Sequence, residues 1–397
     1  MTVAFVPVSF GYGTTMRCLA VAAELRRRGS RSVFLAGESV RPMICRHGFV
    51  VRSIPDVRIH GNGHTLPARQ LFDQEDAPGF LACQLGCLID DLRAIDARVV
   101  VYSHSLTAPL AASILDLPSV SIFNPSILGV PSLAFLVPML HAWLRFVLLR
   151  RRSRLGYPVE SAFLGTRSFI PGIPPLVNWP TLLPPGLWAR RDQGQPVGAL
   201  LPRSPADLPP GAVLTRELGI GERSFVYATV GGAIFNLDLV RSVADGIRRA
   251  NCAGLVSGGS VVTDEVSRRL SDDRVRVVRF VPDDLRAIKA ARALIWHGGH
   301  QTMMETVACG TPAIGLPYQL DQFSNVDGIV REGAGARLDP HGLEADDLAG
   351  AIDLVVGESR FRRAMERLQR IDDGYRGVAA VADAVQTLEG VATGLAA

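Results

Sequence analysis

One short run concentrates groups able to hold an anion and a pair of hydroxyls: His297-Gly298-Gly299-His300-Gln301-Thr302, with Glu305 one helical turn further on. Two glycines between the end of a strand and the start of a helix let the backbone approach a ligand closely. The unpaired N–H groups and positive dipole end of that helix then face an anion. His297 and Thr302 add side-chain donors, His300 lies beside the glycines where it meets phosphate, sugar or solvent, and Glu305 can accept from two neighbouring hydroxyls. This order suits a diphosphate followed by a ribose; the plain alternative is a capped turn with no ligand. Downstream, Asp321, Gln322 and Asn325 follow Pro317 at a second strand end and make suitable partners for sugar hydroxyls. Taken alone, Asp321 is equally a helix N-cap.

These groups need strands and helices to aim them. Residues 3–8 read as a buried strand, followed by a Gly-rich turn and a helix over about 16–28 that stops at Gly29. Strands follow at 32–35, 49–54, 98–102 and 119–123, with helices over 79–92 and 108–115, and 55–67 reads as a long loop bearing His60 and His64. Strand and helix alternating at this rhythm make parallel βαβ units. From 153 to 210 the periodicity breaks down and prolines gather, which reads as connecting structure. A second series runs through strands at 224–229, 254–257, 275–278, 293–296, 312–316 and 336–338. The expected class is therefore α/β, with two Rossmann-like, doubly wound parallel-sheet domains facing across a cleft. Their expected extents are 1–205, a linker at 206–215, 216–375, and a last helix within 376–397 that packs back on the first domain. In such sheets ligands sit at the carboxyl ends of the strands, where strand order reverses.

Composition narrows the chemistry. The chain has 397 residues, 48% apolar and 20% charged, with a net charge of +4 and no basic block. That is enough for two cores of roughly 150–200 residues each and argues against a disordered chain or a nucleic-acid binder. Lys289 is the only lysine, with no glycine beside it, so a phosphate loop of the G-x-x-x-x-G-K type is excluded. The arginine, alanine and glycine richness looks like coding bias of a GC-rich bacterial genome. The cysteines Cys18, Cys45, Cys83, Cys87, Cys252 and Cys309 form no C-x-x-C pair and read as buried reduced thiols rather than metal ligands. A strand follows Met1 directly, so the expectation is a cytoplasmic protein without a signal peptide. The apolar stretch 130–149 contains prolines, a histidine and an arginine and ends at Arg150-Arg151-Arg152. It reads as a helix over a pocket, with surface membrane contact through 130–154 as the lesser alternative.

The set His297-Gly-Gly-x-x-Thr302-x-x-Glu305, Gly310-x-Pro312, Pro317 and Asp321-Gln322-x-x-Asn325 resembles the nucleotide-sugar signature of family-1 glycosyltransferases. The likeness is greatest to bacterial enzymes that decorate macrolides and enediynes, and it covers the C-terminal half most strongly. It implies the GT-B fold and an inverting transfer of sugar from a TDP- or UDP-sugar to a hydrophobic small molecule, with neither a metal nor a separate cofactor. By the same resemblance His297 binds a diphosphate oxygen, and the amides around Gly298, Gly299, Gln301 and Thr302 hold the rest. Glu305 takes the ribose hydroxyls, and Asp321 and Gln322 take the transferred sugar. Phe280 and Val281 lie in the segment that sandwiches the base, with Phe280 where the family usually has Trp. Thr229, Gly231 and Gly232 belong to a loop that closes over the diphosphate.

The chain departs from this family where proton transfer is done. Related enzymes carry a histidine or aspartate after the first strand, often oriented by an acid; here Thr14 occupies that position, and no acid stands near Tyr102-Ser103-His104. A neutral hydroxyl has no useful basicity at pH 7. His104, at the end of the 98–102 strand, is the first replacement to consider, with a hydrogen-bonded strand-end histidine as the plain alternative; His60 and His64 come next. An acidic, carbon or lipid-linked acceptor would relieve the need, as would a base supplied by substrate or partner. Competing readings are a donor-binding protein that has lost catalysis, a UDP-sugar epimerase, and a nicotinamide oxidoreductase suggested by Gly11-x-Gly13-x-x-Met16 with Glu38. The last lacks the third glycine.

Overall fold

The computed structural model describes residues 2–9, 12–55, 77–105, 107–124, 167–177, 194–220, 224–230, 236–318 and 321–394. His60, His64, Gly231, Gly232 and the stretch 130–154 lie outside them. Two all-parallel sheets form the frame. The first has seven strands: β1 (Thr2–Pro7), β2 (Arg31–Ala36), β3 (Val50–Ser53), β4 (Ala97–Ser103), β5 (Ser119–Ile122), β6 (Arg167–Ile170) and β7 (Gly194–Pro196). Its order is β3-β2-β1-β4-β5-β6-β7. The second has six: β8 (Phe225–Thr229), β9 (Ala253–Ser257), β10 (Val275–Val278), β11 (Leu294–Trp296), β12 (Ala313–Gly315) and β13 (Gly335–Arg337). Its order is β10-β9-β8-β11-β12-β13.

Strands covered on both faces read as continuous apolar runs, and β1 and β8 do so: all six residues of β1 and all five of β8 are buried. Each sheet reverses its order next to its first strand, between β1 and β4 in one lobe and between β8 and β11 in the other. Those two gaps are where such folds bind ligands. The helix Tyr12–Arg27 leaves the first of them, and the helix His300–Cys309 leaves the second.

Three expectations need correction. The stretch 153–210 is not only connection, because β6 and β7 add two parallel strands to the first sheet there. They are four and three residues long, too short for a periodic signal, and Pro196 is tolerated because β7 is an edge strand. The first helix begins at Tyr12 rather than Met16, with the Thr14 hydroxyl donating 2.6 Å to the Val8 carbonyl across the preceding turn. Of the six free cysteines, only Cys18 and Cys309 are buried, while Cys45 and Cys83 are exposed.

The C-terminal helices join the lobes. Met365 and Leu368 of the helix Ser359–Asp373 pack with Met303 and Val307 in the second lobe's core. The final helix, Val378–Gly394, returns to the first lobe, where Val381 and Val385 pack with Leu19, Ala22 and Leu25. Between these helices the Asp372 carboxylate accepts the Ala199 N–H at 2.8 Å, and Gly377 N–H donates to the Val197 carbonyl at 2.8 Å. Residues 205–207 form a 3-10 turn, and the helix Gly211–Glu217 lies against the helix Asp284–Ala290, held by an Arg286–Glu217 ion pair. Among the described residues no helix is long and apolar enough to cross a membrane.

Candidate active site between the two sheets

Trp296 ends β11 in the core, and the chain then turns through Gly298 at φ 93°. A Cβ there would stand 2.8 Å from the Gln322 carbonyl oxygen, so both the backbone angle and the space require glycine. Gly299 caps the helix His300–Cys309 in extended conformation, and a Cβ on it would strike the His297 ring at 2.6 Å. Among the described residues no side chain caps this helix start, which leaves its first-turn amides available. The far end closes at Gly310 in the left-handed conformation. The His297 ring is pressed beside these amides, and burial lowers its pKa to about 4 against the opposing effect of the Thr229 backbone. It is therefore a neutral hydrogen-bonding group with Nδ1 unpartnered, not a cation.

The first lobe meets this turn with a layer of polar side chains. Arg17, on the first helix, is 4% exposed and donates from Nη1 to His300 Nδ1 at 3.0 Å. His300 is itself buried; desolvation first, then the Arg17 charge, hold its pKa well below the usual histidine value. Of the two alternatives for His300, facing solvent is the one the structure removes: the side chain is buried and grips the other lobe. A second bridge runs from Asn124 Nδ2 to Asp321 Oδ2 at 3.1 Å, and Asn325 Nδ2 donates to the same oxygen at 3.2 Å and to the Gly298 carbonyl at 2.8 Å. Burial raises the Asp321 pKa while Asn325 and Arg17 oppose it. Gln322 is buried, and its Oε1 accepts the Tyr318 N–H at 2.8 Å.

His104 follows β4 with φ 59°, a left-handed position uncommon for histidine. Its Nε2 accepts the Asn124 N–H at 3.2 Å and its Nδ1 lies 3.2 Å from Ser103 Oγ, so the ring carries its proton on Nδ1. Desolvation, then the Arg17 charge, lower its pKa to about 3. The imidazole is neutral, and the lone pair that would take a proton is occupied by a backbone amide. Thr14, buried one turn before Arg17, spends its hydroxyl proton on Val8.

Glu305 lies one turn into the second lobe's helix and is 8% exposed. Desolvation, followed by Asp284, raises its pKa to about 8, and a 3.2 Å bond from Gln301 Nε2 opposes the shift. Gln301 Cβ faces Gly13, where a methyl on the glycine would come within 3.1 Å, so the two helix starts touch. Thr302 is half-buried, and its carbonyl accepts the Thr306 hydroxyl at 2.6 Å. Thr229 is buried at the end of β8. After β10, Phe280 is 50% exposed, with the Arg279 guanidinium 5.7 Å from its ring centroid, while Val281 packs into the core. Two partners were not singled out from sequence: Arg17 and Asn124. Arg17 left one signal, a charge sharing the helix face of the buried Thr14 and Val21; Asn124 left none.

The amides, neutral imidazoles and hydroxyl acceptors gathered at the facing strand ends have the chemistry to hold a phosphorylated, hydroxyl-rich molecule. Residues 261–374 match the family described as Erythromycin biosynthesis protein CIII-like, C-terminal domain. An uncharacterized glycosyltransferase of Methanopyrus kandleri is 27% identical over 382 residues, spanning 90% of this chain and 99% of its own. Spinosyn rhamnosyltransferase SpnG, solved with thymidine diphosphate, superposes with a TM-score of 0.71 at 20% identity, over 97% of this chain and 100% of that one. The glycosyltransferase SnogD from Streptomyces nogalater gives a TM-score of 0.68 at 21% identity, over 98% and 99% of the two chains. The chain has the GT-B fold, residues 261–374 carry the erythromycin biosynthesis protein CIII-like C-terminal domain, and relatives along most of its length are named glycosyltransferases.

Proposed function

We propose that the chain moves a sugar from a TDP- or UDP-sugar to a hydrophobic small-molecule acceptor, with inversion at the anomeric carbon and no required metal. The observation that carries this reading is the uncapped start of the helix His300–Cys309, opening between the lobes with His297 beside it and Glu305 one turn inside. The thymidine diphosphate in SpnG, a protein of similar fold, supports a TDP donor. In this assignment His297 and the amides from Gly299 to Thr302 hold the diphosphate, Glu305 the ribose, and Asp321 with Gln322 the sugar. Phe280 and Val281 cover the base, and the loop from Thr229 through Gly231 and Gly232 closes over the phosphates.

The acceptor oxygen bonds to the anomeric carbon as the bond to the distal phosphate oxygen breaks, and the electron pair departs on the diphosphate. Preorganised amides and the helix dipole stabilise that charge. Thr14 and His104 are both engaged, so the acceptor we favour is acidic enough to attack with little help, and His104 can accept its proton only once the Asn124 amide releases Nε2. His104→Ala tests that role: full turnover with unchanged donor affinity removes His104 from proton transfer.

Calorimetry on His297→Ala tests the core of the reading. Loss of one hydrogen bond to a charged oxygen should weaken nucleoside diphosphate binding by roughly 10-fold or more. Unchanged affinity would sink the phosphate assignment.

A further inference from the structure

The first lobe carries a buried cation that lacks an ion-pair partner among the described residues. Arg17 is 4% exposed, its one hydrogen bond among the described residues goes to a neutral histidine, and its Nε–H has no acceptor. It forms no ion pair among the described residues; Asp321 attracts it from a greater distance while its own Oδ2 accepts from Asn124 and Asn325. Burying a guanidinium without a partner is costly, and a fold that keeps one has a use for the charge. The imidazoles of His297, His300 and His104 are all neutral, so among the described residues Arg17 is the full positive charge facing this corner. The corner itself is the start of the helix His300–Cys309, because Arg17 is bonded to that helix's first residue.

We infer that Arg17 reaches across the cleft to complete the anion site, its guanidinium joining the first-turn amides on the oxygens of the distal phosphate of the donor. This rests on the sugar-transfer reading. As the anomeric C–O bond breaks, the electron pair moves onto the phosphate oxygen that Arg17 faces, and the new bond forms to the oxygen of the acidic acceptor, whose proton passes to solvent. Leaving-group stabilisation from the first lobe then lowers the barrier from the departing side of the anomeric carbon, while the acceptor side has no base at position 14. An arginine suits this because its planar fork can hold His300 and phosphate together, which an ammonium on a flexible stem does less well.

The test is calorimetry on the full chain and on Arg17→Gln, Arg17→Lys and His297→Ala, with nucleoside diphosphate and nucleoside monophosphate as probes. Arg17→Gln should weaken the diphosphate by about 10- to 100-fold and leave the monophosphate within about twofold, which also shows that the variant is folded. Arg17→Lys should recover part of the loss, and it carries the test should Arg17→Gln fail to fold. Diphosphate affinity as high in both Arg17 variants as in the unaltered chain, with His297→Ala weakened, overturns this inference alone. Unchanged diphosphate affinity with a raised KM only for carboxylate-bearing acceptors would assign the oxyanion to the acceptor and also overturn it. Failure of the unaltered chain to bind diphosphate would remove the underlying reading.

Discussion

Glu305 and His297 stand a few residues apart, and burial acts on them in opposite senses. The folded protein holds Glu305 at about 8, above its ordinary 4.5, so it favours the protonated acid. That contribution to stability is fully present below pH 4.5 and is lost as pH rises through 8. His297 is held at about 4, below its ordinary 6.5, so its contribution is present above 6.5 and is lost as pH falls through 4. Glu305→Gln should therefore flatten the alkaline side of the unliganded protein's melting curve, raising Tm at pH 8 more than at pH 5. Equal shifts at the two pH values would contradict a buried, proton-holding Glu305. The same carboxyl is assigned to ribose, so Glu305→Ala should cost affinity for nucleoside diphosphate and little for free pyrophosphate.

The turn between β11 and its helix is built from two glycines with different tolerances. Alanine at Gly298 would sit at φ 93° with its Cβ against the Gln322 carbonyl, and backbone on both sides cannot give way. Gly298→Ala should lose about 1–3 kcal/mol in urea unfolding and displace the start of the helix Asp321–Arg331, taking Asp321 with it. Gly299→Ala has ordinary backbone angles and meets only the His297 ring. It should cost less stability yet weaken diphosphate binding by moving that ring. A pair of unfolding curves that ranks the two variants the other way would refute this account of the turn.

Across the whole molecule, the lobes are fastened away from the cleft by the last two helices and across it by Arg17–His300 and Asn124–Asp321. Val381, Ala382, Ala384 and Val385 complete the core beside the first helix, so ending the chain after Tyr375 would bare Leu19, Ala22 and Leu25. Truncation there should give a protein that aggregates or melts at lower temperature, since each large apolar side chain uncovered forfeits about 1.5–3 kcal/mol. A truncated chain with unchanged Tm would show that the final helix is dispensable to the first lobe.

Chain order already dictated the parallel sheets and the glycine turn, because buried strands announce themselves as apolar runs and a Gly-Gly between strand and helix is local chemistry. His297 and Glu305 could likewise be singled out, since both lie in that local strand–glycine–helix run, eight positions apart. The edge strands β6 and β7 escaped notice because three or four residues among prolines carry no period. Folding in three dimensions settled the rest: Arg17 meets His300 across 283 positions of sequence, and Asn124 meets Asp321 across 197. Contacts at such separations leave no local pattern, so only the facing of two switch points brings a buried arginine to the start of the second lobe's helix and takes His104's free lone pair out of use.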